Sequence, residues 1–219
     1  MSNEKYGARY YQSREVAHES QREGDLYAFD AFIGCQHFDV EPGDSAIMLD
    51  HDFEAGRVAR WIPGRRMAGE PLTVASSEFA VRFRGYQCGN KVVSLDENVN
   101  LPYINGCATR QLFPPERIGD PTFQQLTIPP HTSEQAHHIH PTVRVVYVLE
   151  GEGVSIVGQS GNTTETELKP GMVCVLDPMC PHHFRTGSEF LTVLPVHVWS
   201  STPAAMEQNH PMFNGTREV

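Results

Sequence analysis

Val143, Val145, Tyr147 and Leu149 alternate with Arg144, Val146 and Val148 up to Gly151. Apolar side chains on both faces of this two-residue period predict a strand inside a β-sandwich or barrel. Leu126 and Ile128 precede it, followed by Pro129, Pro130 and a histidine-rich loop. A turn at 158–161, an alternating Thr164 to Leu168 segment, a Lys169-Pro170-Gly171 turn and apolar runs over 172–176 and 190–199 come after it. Short strands at hairpin spacing are the pattern of a sandwich or barrel. In the first half, Phe79, Val81 and Phe83 alternate with Ala80, Arg82 and Arg84, which predicts a half-buried strand. Pro42, Gly43, Pro63, Gly64, Gly69, Pro71 and Gly85 break the rest into short strands and turns. Residues 1–24 are polar and aperiodic and read as an arm or a short helix, and the tail after Ser200 shows no period.

Composition sharpens this picture. At 219 residues the chain has ample length for a buried core, and its 18 Gly and 16 Pro disfavour long helices. A formal charge of −10 repels phosphate backbones and anionic lipid, so neither nucleic acid nor membrane is expected as a partner. The start lacks an apolar leader and the longest apolar run, 191–199, is too short to span a bilayer, giving a cytoplasmic expectation. Cys35, Cys88, Cys107, Cys174 and Cys180 are odd in number and contain no CxxC pair, which suits reduced thiols. No phosphate loop, nucleophile elbow or HExxH helix is present.

The chemistry concentrates in histidine. Six of the 11 His fall between positions 131 and 183: His131, His137, His138, His140, His182 and His183. In an extended segment residues two apart share a face, so His138 and His140 can offer two nitrogens to one ion, while His182 must arrive from another strand. Three neutral imidazoles suit iron, zinc, copper, nickel and similar metals. His137 has the opposite parity and reads as outward or supporting; His183 faces away from His182 or supports it; Tyr147 and His197 read as packed. The group Asp50, His51, Asp52 and Glu54 spreads over both sides of any strand and reads as a solvated loop. Cys180 is close enough in sequence to His182 to approach the same pocket, but no activating partner for it is evident.

The stretch His138-Ile139-His140-Pro141, then Arg144 and Tyr147-Val148-Leu149-Glu150-Gly151-Glu152-Gly153, resembles the first motif of the cupin superfamily. Pro170-Gly171, Asp177-Pro178 and Pro181-His182 resemble the second. The resemblance implies an all-β, jelly-roll-like cupin barrel over 113–200, with an arm and extra N-terminal strands (a degenerate cupin half being the alternative) over 1–112 and a tail over 201–219. It also implies metal on His138, His140 and His182, and, through edge strands that another chain covers, a homodimer.

The usual Glu ligand of the first motif is replaced by Arg144, which stays protonated and cannot ligate. The site is therefore similar to three-His cupins, which include iron-dependent thiol dioxygenases and diketone-cleaving dioxygenases. Arg144 shares the parity of His138 and His140. It either faces the metal and binds a substrate carboxylate as a catalytic residue, or pairs with an internal acid, or is turned outward by Pro141. The functional expectation is a metal-dependent dioxygenase with Fe(II) acting on a small anionic or enolisable molecule. A non-redox isomerase or lyase using Zn, Mn or Ni, and a non-catalytic ligand-binding cupin, are the alternatives; Cu is a further candidate metal for the same site.

Overall fold

A computed structural model describes residues 6–21, 29–53, 56–64, 71–76, 78–97, 101–116 and 119–198. Its first-half strands are β1 (Ala8–Tyr11), β2 (Ala17–Gln21), β3 (Phe29–Ile33), β4 (Gln36–Val40), β5 (Ser45–Asp52), β6 (Gly56–Pro63), β7 (Leu72–Ser76), β8 (Phe79–Phe83) and β9 (Lys91–Ser94). They continue as β10 (Leu101–Pro102), β11 (Ala108–Phe113), β12 (Thr122–Ile128), β13 (Val143–Gly151), β14 (Gly153–Gln159), β15 (Asn162–Leu168), β16 (Val173–Leu176), β17 (His182–Arg185) and β18 (Leu191–Val198). A short 3-10 turn lies at Ile104–Gly106. The fold is all-β.

Contacts divide the chain into two compact units. The first takes residues up to 14, the stretch 98–114 and the stretch 122–197; the second takes 15–97 and 115–121. The first unit is a double layer: a seven-stranded sheet in the order β1-β16-β13-β18-β12-β11-β10 and a three-stranded sheet in the order β15-β14-β17. Val146, Val148, Cys174, Leu176, Leu191 and Val193 from the larger sheet close on Val157, Leu168 and Phe184 from the smaller one. That burial is the main favourable term holding the two layers together.

The tight link from β13 to β14 turns on Gly151, whose φ is +75°. A Cβ there would lie 1.9 Å from the carbonyl oxygen of Phe190. Gly151→Ala is therefore expected to cost about 3 kcal/mol, the sum of a left-handed backbone and an overpacked contact, read as a lowered urea midpoint. An unchanged midpoint would contradict the turn.

The N-terminal segment departs from expectation. Its described part is neither arm nor short helix but the two strands β1 and β2. Ala8 to Tyr11 pair antiparallel with Leu176 to Val173, and the Arg9 guanidinium donates to both carboxylate oxygens of Asp177 at 2.9 and 2.7 Å. The local pattern is too polar to announce a strand; its partner's free edge supplies the order. The tail over 201–219 and the expectation attached to it lie outside the described residues.

The extra N-terminal strands form the second unit, a six-stranded sheet in the order β2-β3-β8-β5-β6-β9 and a two-stranded sheet β4-β7. Phe32, Ala46, Met48 and Ala80 pack on Phe38 and Val40 between them. β8 is buried on both faces rather than half-buried, because the small Ala80 joins this core while Phe79, Val81 and Phe83 fill the other side. Its one polar side chain, Arg82, turns to Asp30, to which its Nε donates at 2.9 Å.

Candidate metal centre

His138 and His182, 44 positions apart, are locked side by side by their own backbones. The His138 amide donates to the His182 carbonyl at 3.1 Å, and the His182 amide to the His138 carbonyl at 2.9 Å. Residues that exchange both bonds in an antiparallel pair project their side chains from the same face. His140 follows two residues on, its carbonyl accepting the Met179 amide at 2.7 Å. Met179 holds a left-handed φ of 63°, a strained setting for a side-chain-bearing residue, at the turn leading to His182.

The three rings converge. Centroids of His138 and His140 are 4.5 Å apart, of His138 and His182 4.6 Å, and of His140 and His182 5.5 Å. One nitrogen from each lies within 4.8 Å of the others. His138 Nδ1 donates to the Ala136 carbonyl at 2.8 Å and His182 Nδ1 to the Cys180 carbonyl at 2.7 Å, each two residues back along the chain. With Nδ1 protonated, Nε2 of both neutral rings carries the lone pair, the tautomer a metal needs. The Gln135 amide nitrogen donates to His138 Nε2 at 2.7 Å and so shares that lone pair. His140 Nε2 is buried with no hydrogen-bond partner.

Electrostatics keep the rings neutral. Burial, then the Arg144 charge, pushes His140 down to about 3. Burial also pushes His182 down to about 2, against a raising hydrogen bond to Cys180, and it lowers His138. An orphaned buried nitrogen beside two rings with oriented lone pairs fits a divalent metal of the borderline class.

Arg144, on β13, lines a cavity of about 280 Å³ together with Tyr103, Gln111, Glu134, His140 and His197. One of its terminal nitrogens lies 3.5 Å from His182 Nε2, while its Nε is buried without a partner. Burial lowers its pKa to about 10, which still leaves it cationic at neutral pH. Of the alternatives for this residue, the outward orientation is therefore not the one adopted.

Glu134 escaped sequence reasoning. It is 3% exposed and lines the same cavity. The Phe184 amide donates to its Oε1 at 3.3 Å, and burial raises the carboxyl to about 7 although the Arg144 charge opposes this. It is the only acid between Pro129 and Pro141, the one signal that could have drawn attention to it. His197, expected to be simply packed, also faces this cavity, its ring 6.5 Å from that of His140.

The remaining candidates stand apart. His137 and His183 bond each other through Nδ1 at 2.8 Å, and His137 Nε2 donates to the Gly158 carbonyl at 2.6 Å. His131 is exposed in a turn. Cys180 is 2% exposed with its thiol pushed up to about 11 by burial, and it serves His182 through its carbonyl alone. Tyr147 is buried. Asp50 and Asp52 lie on a strand, not in a solvated loop, and both carboxylates bind Arg60, at 2.7 and 3.0 Å; Glu54 lies outside the described residues.

Residues 124–197 match the family described as Cupin domain, so this segment is a cupin domain. Among solved structures the chain is similar to the polyketide cyclase RemF from Streptomyces resistomycificus, at 26% identity and a TM-score of 0.38 over 46% of this chain and 70% of that one. It is also similar to a Cupin 2 conserved barrel domain protein from Leptotrichia buccalis, at 14% identity and a TM-score of 0.48 over 86% of this chain and 91% of that one. The protein TT1209 from Thermus thermophilus is 27% identical, with a TM-score of 0.38 over 45% of this chain and 89% of that one. No curated protein matches the chain. No helix among the described residues is long and apolar enough to cross a membrane.

Proposed function

We propose that this protein is a metal-dependent dioxygenase acting on a small anionic or enolisable molecule, with His138, His140 and His182 holding Fe(II). The observation that carries the reading is that His140 of the imidazole cluster and the buried Arg144 guanidinium share one cavity of about 280 Å³. With no carboxylate ligand, a divalent ion on three neutral imidazoles keeps its full charge and favours an anion beside it. The planar fork of Arg144 suits a carboxylate, and its partnerless Nε is one donor that such a group would satisfy. Ferrous ion, when bound, supplies the electron exchange with oxygen that amino-acid side chains lack. The protein groups orient the substrate, offset its charge and exclude stray water.

A second reading, a non-redox isomerase or lyase with zinc, manganese or nickel, is favoured by Glu134, a buried carboxyl poised near neutrality in the same cavity. Anaerobic purification, metal analysis and oxygen uptake with small 2-oxo and 3-oxo acids separate the two. Dioxygenation predicts stoichiometric oxygen consumption with iron; turnover without oxygen selects the second reading. Saturable binding with no product under either atmosphere selects a ligand-binding role.

A further inference from the structure

We infer that Glu134 is the proton acceptor of this cavity, removing a hydrogen from the carbon next to a substrate carbonyl while Arg144 holds the substrate's carboxylate. The inference deepens the reading above and rests on it, since it takes the same cavity and the same substrate class. Both the oxygenase and the non-redox chemistry of an enolisable acid begin with that proton transfer, so the assignment does not depend on which of them follows.

The geometry supports it from three sides. Glu134 is 3% exposed, and its peptide unit is fastened to β17 by the Glu134 amide donating to the Phe184 carbonyl at 3.1 Å. One carboxylate oxygen is oriented by the Phe184 amide at 3.3 Å. The side chain shares the cavity wall with His140, Arg144, Tyr103 and His197. The ionisable groups acting on it are Arg144, which favours the carboxylate, and the Cys107 thiol, which is pushed up by burial and then by the Glu134 charge. The Arg144 charge favours the carboxylate form of Glu134, and taking up a proton leaves that side chain neutral, so the transfer places no new charge on it against the apolar wall.

The step balances within the site. The C–H bond breaks and its proton goes to the Glu134 carboxylate. The freed electron pair forms the carbon–carbon double bond, and the carbonyl π pair moves to oxygen as an enolate, whose charge Arg144 offsets. Return of the proton to carbon restores the ketone. In heavy water, Glu134 trades its proton for a deuteron and returns that instead.

The test is deuterium exchange into pyruvate and 2-oxobutanoate followed by proton NMR, anaerobically, on the metal-loaded full chain with metal content measured first. Wild type is expected to exchange the hydrogens next to the carbonyl, with a rate that rises with pH as Glu134 ionises. Glu134→Gln is expected to slow exchange by at least about 100-fold at unchanged metal content, and Glu134→Asp to restore part of it with a displaced pH profile. Exchange in Glu134→Gln at the wild-type rate, a pH profile that the Asp variant leaves in place, or a metal-loaded wild type that does not exchange either acid would each overturn the assignment. Failure to load metal would instead sink the functional reading, so the two failures are distinguishable.

Discussion

His182→Ala is expected to take metal loading from one equivalent per chain to less than about a tenth, an affinity loss of at least ~100-fold, with the fold intact. Outer partners of metal ligands are worth roughly 10- to 100-fold in affinity, and a ligand itself more. His182 is 1% exposed, and the turn from Asp177 to Cys180 and the backbone exchange with His138 hold its ring in place, so other side chains cannot move in to replace it. The backbone bonds survive truncation, which is why the β-sheet circular dichroism should not change. His183→Ala is the matched control: its ring bonds His137 instead of joining the cluster, and it should retain metal. Dialysis against ferrous or zinc ion followed by elemental analysis reads both variants. A His182→Ala protein that still holds a full equivalent would remove the basis for the metal centre.

Asp30→Asn should be strongly destabilising to the second unit. The Asp30 side chain is 2% exposed and lies between Arg82 and Arg84, with His18 Nε2 at 3.3 Å. Burial alone would raise its pKa, but the Ser20 hydrogen bond and the two guanidinium groups more than offset this and hold it below the usual carboxylate range. Removing the charge strands two partly buried cations, a loss of about 3–5 kcal/mol by analogy with other broken buried pairs, or roughly 10 °C in melting temperature. The sign with pH follows from the depressed value. The folded form binds its proton less readily than the unfolded chain, so the contribution is complete above the unfolded pKa of about 4 and is lost as pH falls below it. Wild type and Asp30→Asn should therefore converge in stability toward strong acid; a constant gap down to pH 2 would contradict this account.

Legibility differed by region for physical reasons. β13 and β15 were visible because alternation is a local property: each side chain's face follows from its neighbours' parity. The same parity put His138, His140 and Arg144 on one face, and the structure shows His140 and Arg144 on one cavity wall. β1 was not visible, since its four residues become a strand only by completing the edge of β16. Glu134 was overlooked and His197 was read as packed because a residue in an aperiodic loop and one in an apolar strand carry no sign of what lies across a cavity from them. The stretch Asp50 to Asp52 misled for a related reason: its acids look solvated in one dimension, whereas Arg60 on the neighbouring strand neutralises them.

Residue order alone therefore dictated an all-β chain, the hairpins of its second half and the pairing of His138 with His140 on one face, all of which depend on neighbours a few positions away. Folding in three dimensions settled which edges met, that the first and last parts of the chain share a sheet, and that a carboxyl and a guanidinium lie in a common cavity. Those outcomes depend on contacts between residues far apart in the chain, where burial changes what a charge costs and no local period records it.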